Sequence, residues 1–231
     1  MAQSTNGHGM TQATKKSIAL KKDKTRRAAG TATATASDVT KSVRSSHRGP
    51  GVPMLRVNTK PGIDPLAAGS PGPANKPLVY ERRSSIITNP DGSIVFKMEG
   101  AEIPSDWSQL ATDIVISKYF RKAGLHGDKA QGERSVRQVV HRIAHTIRTA
   151  GEQFSGYFAT GADADTFEAE LSWLLVHQYG AFNSPVWFNV GTSAPQQVSA
   201  CFILAVDDTM DSILNWYREE GLIFKGGSGA G

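Results

Sequence analysis

The sequence predicts a mixed α/β chain: a basic tail without secondary structure, then a β-hairpin and a mostly helical region, then a strand–helix unit. Three observations predict this order. Residues 1–76 are low in complexity and basic, two later stretches carry apolar residues at helical spacing, and the apolar run 199–206 precedes a capped helix. These observations divide the chain into residues 1–76, 77–191 and 192–231.

The tail is set apart from the rest of the chain by its charge. Residues 1–60 contain 12 Lys or Arg and two Asp or Glu, a net charge of +10, whereas the remainder contains 14 basic and 19 acidic residues, a net charge of −5. Basic residues can bind nucleic acid through phosphates, but no aromatic residue that could stack on a base occurs before Tyr80. We therefore expect residues 1–76 to be a disordered, solvated tail.

Order is expected to begin near Leu78. The β-rich segments 79–88 and 93–98 flank Asn89-Pro90-Asp91-Gly92, and an Asp-Gly step between such flanks predicts a hairpin turn. Ser105 is the predicted N-cap of a helix that ends near Phe120.

Two longer helices are predicted over residues 133–150 and 162–179, because their apolar residues recur every three or four positions. An aromatic stretch broken by Pro185 follows. Residues 199–206 (SACFILAV) predict a buried strand, and residues 207–209 cap a helix that continues to about Phe224. A strand this apolar needs both faces covered, and the sequence offers no evident partner strand, so we expect the chain to be a piece of a larger α/β protein.

Several protein classes are excluded or disfavoured by composition. Cys201 is the chain's one cysteine, which excludes a disulfide-rich secreted scaffold. No run of about 18 apolar residues is present, and the N-terminus lacks the apolar core of a secretory signal. A cytoplasmic protein without membrane association is therefore expected.

One pair of residues has the spacing of metal ligands. His141 and His145 lie four residues apart, on one face of the predicted helix. Arg142 stands where a zinc peptidase has its glutamate, and no third ligand is evident from the sequence. We expect two partly exposed helix histidines and no metal.

The end of the chain offers two further candidates. The segment GGSGAG contains Gly227, Gly229 and Gly231 in alternation, and glycine lets the backbone approach a ligand closely. No Lys-Ser or Lys-Thr pair follows, so the segment is not a phosphate-binding P-loop. Cys201 lies in an apolar run, where a single cysteine usually acts as a small core residue.

Four segments together resemble the N-terminal part of adenosylcobalamin-dependent (class II) ribonucleotide reductases. They are YERR at 80–83, WSQLATDIVISKYF at 107–120, LLVHQYGAFNSPVWFNVG at 174–191, and the set SACFI, VDDTMDSI and EGLIFKGGSGAG within 199–231. The resemblance covers about Leu78 to Gly231, and residues 1–76 contribute nothing to it.

The resemblance implies a helical N-terminal region that leads into a ten-stranded α/β barrel, with Cys201 on the first barrel strand. It implies reduction of ribonucleoside diphosphates to 2′-deoxyribonucleoside diphosphates: adenosylcobalamin initiates a thiyl radical on one cysteine, and two other cysteines supply electrons and become a disulfide. Cys201 matches the first of that redox pair. Ser184, Ala200, Cys201 and Gly229 match substrate-contacting positions, and Gly227 or Gly231 could stand in for Gly229.

The resemblance also implies a nucleotide effector and a thioredoxin-like dithiol reductant as partners. The family's Asn-x-Cys-x-Glu motif and second redox cysteine are absent from this sequence, and most cobalamin-binding residues would lie elsewhere. We therefore expect an incomplete active site. The alternative is a non-catalytic helical binding module whose basic tail seeks nucleic acid.

Overall fold

The computed structural model describes residues 51–125, 128–153 and 156–231, and the predictions for residues 1–50 lie outside them. A hairpin of β1 (Tyr80–Thr88) and β2 (Ile94–Pro104) comes first. The helices are α1 (Gln109–Ile114), α2 (Val136–Gln153), α3 (Gly161–Val176), α4 (Ser184–Asn189) and α5 (Met210–Lys225), and α5 lies between the short strands β3 (Cys201–Phe202) and β4 (Gly229–Ala230). Among the helices described, none combines the length and apolar character needed to cross a bilayer.

The predicted hairpin is confirmed, and its second strand runs longer than expected. β1 and β2 pair antiparallel from Tyr80 opposite Pro104 to Thr88 opposite Ile94. The turn closes because Gly92 takes a φ of 82° and its N–H donates to Asn89 O at 2.9 Å. The extra residues of β2 include Ala101 and Ile103, which are fully buried in the core.

The start of the described structure corrects the expectation that order begins near Leu78. Leu66 is buried in the core, and residues 73–75 form a 3-10 turn. The Glu170 carboxylate of α3 accepts hydrogen bonds from the backbone N–H groups of residues 57–59 at 2.8–3.1 Å. Side-chain acceptors on α3 thus hold residues 57–59 in place. Contacts of this kind leave no periodic pattern of apolar residues, so the sequence did not reveal them.

The central helices are confirmed, with small shifts at their ends. α3 begins at Gly161, one residue before the predicted start, and the Thr160 hydroxyl caps it by accepting from Asp163 N at 3.2 Å. α2 and α3 pack against each other, and the α2 residues Val139, Val140 and Ile143 are fully buried. The core cluster comprises Leu66, Leu78, Ala101, Ile103, Trp107, Val115, Ile116, Phe120, Val136, Val139, Val140, Ile143, Leu175, Val176, Val186, Trp187 and Val190.

Arg142 and Glu133 form an ion pair inside this core. Arg142 Nε lies 2.8 Å from Glu133 Oε1, and both side chains are at most 3% exposed. The guanidinium also donates to the carbonyls of Trp187 and Val190, at 3.3 and 2.5 Å. Arg142 therefore ties α2 to α4.

The first helix begins later than predicted and changes its geometry midway. Ser108, not Ser105, caps α1, because its hydroxyl accepts from Ala111 N at 3.1 Å. Residues 115–119 then form a π-helical turn, in which Phe120 N donates to Val115 O at 2.9 Å. The turn ends at Tyr119, which lies against α4.

The final β3–α5–β4 unit corrects two expectations about residues 199–206. β3 has a partner, because β4 pairs with it in parallel through Cys201 opposite Gly229 and Phe202 opposite Ala230. The predicted strand is only two residues long, and Ile203 is 95% exposed, not buried. Within the described residues there are two-stranded sheets and no closed barrel.

Candidate active site

The parallel pair β3–β4 brings three of the predicted site residues together. Gly229 lies directly opposite Cys201, and its N–H donates to Ala200 O at 2.7 Å. A Cβ on Gly229 would meet only that carbonyl, at 3.6 Å, so the space beside Cys201 is open. The Cys201 thiol is free and exposed. The interpretation of Cys201 as a buried packing residue is therefore wrong within the described part of the chain.

The glycine-rich loop is held against β3 by a buried serine. Ser228 is 6% exposed, and its hydroxyl donates to Ser199 O at 2.5 Å. Gln197 Nε2 donates to the same hydroxyl. Gly227 has a φ of 83°, and a Cβ there would lie 3.2 Å from the Phe188 ring. This position needs glycine for both reasons.

Ser184 lies at the start of α4, where Pro185 occupies the first turn and sets the backbone for a helix. Pro185 therefore begins a helix in the aromatic stretch that it was expected to break. The Ser184 hydroxyl lies 3.1 Å from the Tyr119 hydroxyl. Tyr119 in turn stacks on Trp187, with ring centroids 5.4 Å apart. Tyr119, at the end of the π-helical turn, thus fixes the position of Ser184.

Two asparagines at the two ends of α4 donate hydrogen bonds to residues that precede the short strands β3 and β4. Asn183 Nδ2 donates to Val198 O at 3.2 Å, just before β3. Asn189 Nδ2 donates to Gly226 O at 3.0 Å, just before β4. α4 and the β3–β4 pair are therefore fixed relative to each other, although Ser184 itself hydrogen-bonds to Tyr119 and not to Cys201 or Gly229.

Sequence reasoning missed Tyr119, Gln197 and Ser228 as parts of this arrangement. Tyr119 was assigned to an ordinary helix end, because a π-helical turn has no evident sequence pattern. Ser228 could have been noticed, since it is the one hydroxyl in GGSGAG.

Two cavities lie away from the β3–β4 pair. An apolar pocket of about 330 Å³ lies beside Trp107, Tyr119 and Trp187. A larger cleft of about 630 Å³ has charged walls, which include Arg82, Arg134, Arg137, Glu102 and Glu168.

A carboxylate that could act as a third metal ligand lies beside the histidine pair, and the sequence did not reveal it. Glu168, on α3, places Oε1 3.4 Å from His141 Nδ1 and 3.2 Å from His145 Nδ1. A third potential ligand that was not evident from the sequence is therefore present. Arg142, between the two histidines, points into the core toward Glu133.

Two family models match the chain. Residues 81–178 match the model of the class II vitamin B12-dependent ribonucleotide reductase, and residues 199–231 match the model of the ribonucleotide reductase barrel domain. Both short strands that carry Cys201 and Gly229 lie in the second match.

Individual relatives agree with these models. The vitamin B12-dependent ribonucleotide reductase of Streptomyces clavuligerus is 53% identical over 182 residues, which are 78% of this chain and 18% of the relative. The enzyme of the same name from Streptomyces coelicolor is 51% identical over 202 residues, 86% of this chain and 20% of the relative. A ribonucleoside-diphosphate reductase large subunit of African swine fever virus is 42% identical over 48 residues, 21% of this chain and 6% of the relative. The chain spans about a fifth of the length of its Streptomyces relatives.

Proposed function

Because the chain belongs to the family of class II, vitamin B12-dependent ribonucleotide reductases, we propose that it supplies substrate-binding groups and one reducing thiol to an enzyme that makes 2′-deoxyribonucleotides. The observation that carries this proposal is the pairing of Cys201 with Gly229. It sets an exposed thiol next to a position without a side chain, where a substrate has room to approach.

The role proposed for Cys201 is that of a reductant. Replacing the 2′-hydroxyl of a ribose by hydrogen releases water and takes up two electrons and two protons. Two thiols supply these when they become a disulfide, so Cys201 needs a second cysteine from elsewhere in the protein. Cys201 is the one cysteine of these 231 residues, and so these residues do not hold the disulfide by themselves.

Ser184, Ala200 and Gly229 are proposed to position the substrate. The Ser184 hydroxyl can donate or accept a hydrogen bond, and Tyr119 fixes its place. The proposed substrate is a ribonucleoside diphosphate, in line with the short match to a relative named ribonucleoside-diphosphate reductase. A nucleotide effector, a thioredoxin-like dithiol reductant, a ten-stranded barrel and a cytoplasmic location belong to the same proposal.

The cavities described here do not fit a cobalamin. The larger cleft, about 630 Å³, is an ordinary size for a small-ligand site, and the apolar pocket of about 330 Å³ lies near the lower end of that range, whereas a cobalamin is much larger than a typical small ligand. We therefore assign no step of radical formation to these residues. We propose that a thiyl radical on another cysteine initiates the reaction, as the resemblance to the family implies.

The test is Cys201→Ser in the full-length enzyme. Serine cannot transfer electrons or form a disulfide, so we expect multiple turnover with a dithiol reductant to be lost. The fold and cobalamin homolysis should remain, since neither uses this thiol. In the wild-type enzyme, we expect alkylation of Cys201 to slow when the nucleoside diphosphate is bound.

The matched control is Ala205→Ser, which adds a hydroxyl to the same exposed segment and keeps the thiol. It should leave turnover within about twofold, because it keeps the thiol and adds a single oxygen atom. A folded Cys201→Ser enzyme with near-normal multiple turnover would reject the redox role.

A further inference from the structure

The side-chain cluster formed by His141, His145 and Glu168 lies outside the proposed active site. The two histidines lie one helical turn apart on α2, and their rings stack with centroids 5.2 Å apart. Glu168 approaches them from α3, and the three ligand atoms all lie within 4.8 Å of one another. Two helices that already pack together thus present two imidazoles and a carboxylate to one point.

The distances from the Glu168 carboxylate to the two imidazoles match those of a metal site. Zinc binds histidine nitrogen and carboxylate oxygen at about 2.0–2.2 Å, so two ligand atoms of a tetrahedral site lie about 3.3 Å apart. Glu168 Oε1 lies 3.4 Å from His141 Nδ1 and 3.2 Å from His145 Nδ1. Both imidazoles are more than half exposed, which leaves them free to rotate toward a shared ion.

A neighbouring cation holds the carboxylate in place. Arg148 Nη1 donates to Glu168 Oε2 at 3.2 Å, while its other terminal nitrogen pairs with Asp165 and Glu152 at 2.9 and 3.0 Å. His145 Nδ1 is also 3.2 Å from Glu168 Oε2, so the histidine can use either oxygen. Groups that orient a ligating carboxylate in this way are a regular feature of metal sites.

We propose that His141, His145 and Glu168 bind a divalent transition-metal cation of the zinc class. The ligand set, two imidazoles and one carboxylate, suits zinc and leaves a fourth position open. His141 and Glu168 both line the charged cleft, so an ion bound between them would be reachable from it. Arg142 replaces the glutamate of a zinc peptidase and is buried in an ion pair, so the site lacks that general base. The ion joins α2 to α3 and can accept water or an anionic group from the cleft.

The competing explanation is that the cluster is only an ion pair. A protonated histidine beside Glu168 would give the same distances without a metal, and Arg148 already partly neutralises the carboxylate. The two explanations differ in one measurable property, namely zinc affinity that depends on all three side chains.

The experiment measures zinc binding to the 231-residue chain by competition with a chromophoric chelator, with Cys201 alkylated in every sample so that its exposed thiol does not contribute. We expect one zinc per chain at this site and a Tm that rises with zinc concentration. Glu168→Gln and His141→Gln should each weaken binding by more than about tenfold, since loss of even an outer partner of a ligand costs about 10–100-fold.

The matched control is Glu152→Gln, which also removes a carboxylate that pairs with Arg148 but lies outside the cluster. It should bind zinc like the wild type. If Glu168→Gln fails to fold, His141→Gln decides the question, because its side chain is 63% exposed. No zinc binding by the wild-type chain, or equal affinity in the Glu168 and Glu152 variants, would overturn the proposal.

Discussion

The buried ion pair of Arg142 and Glu133 gives the sharpest prediction about stability. In Arg142→Met the carboxylate of Glu133 stays buried, with its other described hydrogen bond coming from Arg121 N at 2.8 Å. The carbonyls of Trp187 and Val190 lose their donor as well. Breaking a buried pair by removing one partner costs about 3–5 kcal/mol.

This loss should be large in a denaturant titration. With a urea m-value of about 2 kcal/mol/M, a loss of about 4 kcal/mol lowers the unfolding midpoint by about 2 M. The same loss corresponds to a fall in Tm of roughly 8–16 °C for a chain of this length. Circular dichroism of the 231-residue chain in urea measures both the midpoint and the m-value.

Two further variants show whether the pair itself is responsible. Lys97→Met removes the exposed ion pair with Glu99, whose partners are 45% and 66% exposed, and should cost at most about 1 kcal/mol. Glu133→Met combined with Arg142→Met should recover part of the loss, because no charge then stays buried without a partner. A cost below about 1 kcal/mol for Arg142→Met, or strictly additive costs in the double variant, would refute this reasoning.

Three other predictions concern single residues. Tyr119→Phe keeps the stacking on Trp187 but removes the hydrogen bond to Ser184. The KM of the full-length enzyme for its nucleotide should therefore rise roughly two- to tenfold. An unchanged KM would contradict the positioning role. Gly227→Ala should destabilise the chain by about 1–2 kcal/mol in urea because of its positive φ. Burial lowers the pKa of His177, with Asp106 acting in the opposite direction, so the folded state favours the neutral ring. Stability is therefore full above the unfolded-state pKa of about 6.5 and is lost as the pH falls through the lower folded-state value, and His177→Gln should remove this part of the pH dependence in urea titrations at pH 5–7.5.

Those parts of the fold that rest on local sequence signals were predictable. Asp91-Gly92 identified the hairpin turn, and Thr209 was correctly placed among the residues that cap α5. Family resemblance pointed to Cys201 and Gly229, and the structure places them opposite each other without testing their chemistry.

What the sequence did not reveal depends on contacts between distant residues. Glu170 holds the backbone of residues 57–59 although more than 110 positions separate them. Glu168 reaches the histidines from a different helix, so no spacing within one segment could identify it. The choice of Ser108 over Ser105 as N-cap depends on where β2 ends, and the sequence placed that end six residues too early.

The π-helical turn at residues 115–119 lets the chain tolerate a change in length at this point. Its i→i+5 hydrogen bond, from Phe120 N to Val115 O, accommodates one residue more than an α-helical ring would. Deleting a single residue inside the turn would allow regular i→i+4 pairing and leave the side chains before and after it in nearly the same orientation, because the wider turn absorbs the extra residue. Tyr119 would then still face Ser184, and only the side chain of the deleted residue would be lost from the helix surface. Homologous proteins that lack one residue in this turn should therefore fold alike and hold the serine in the same way.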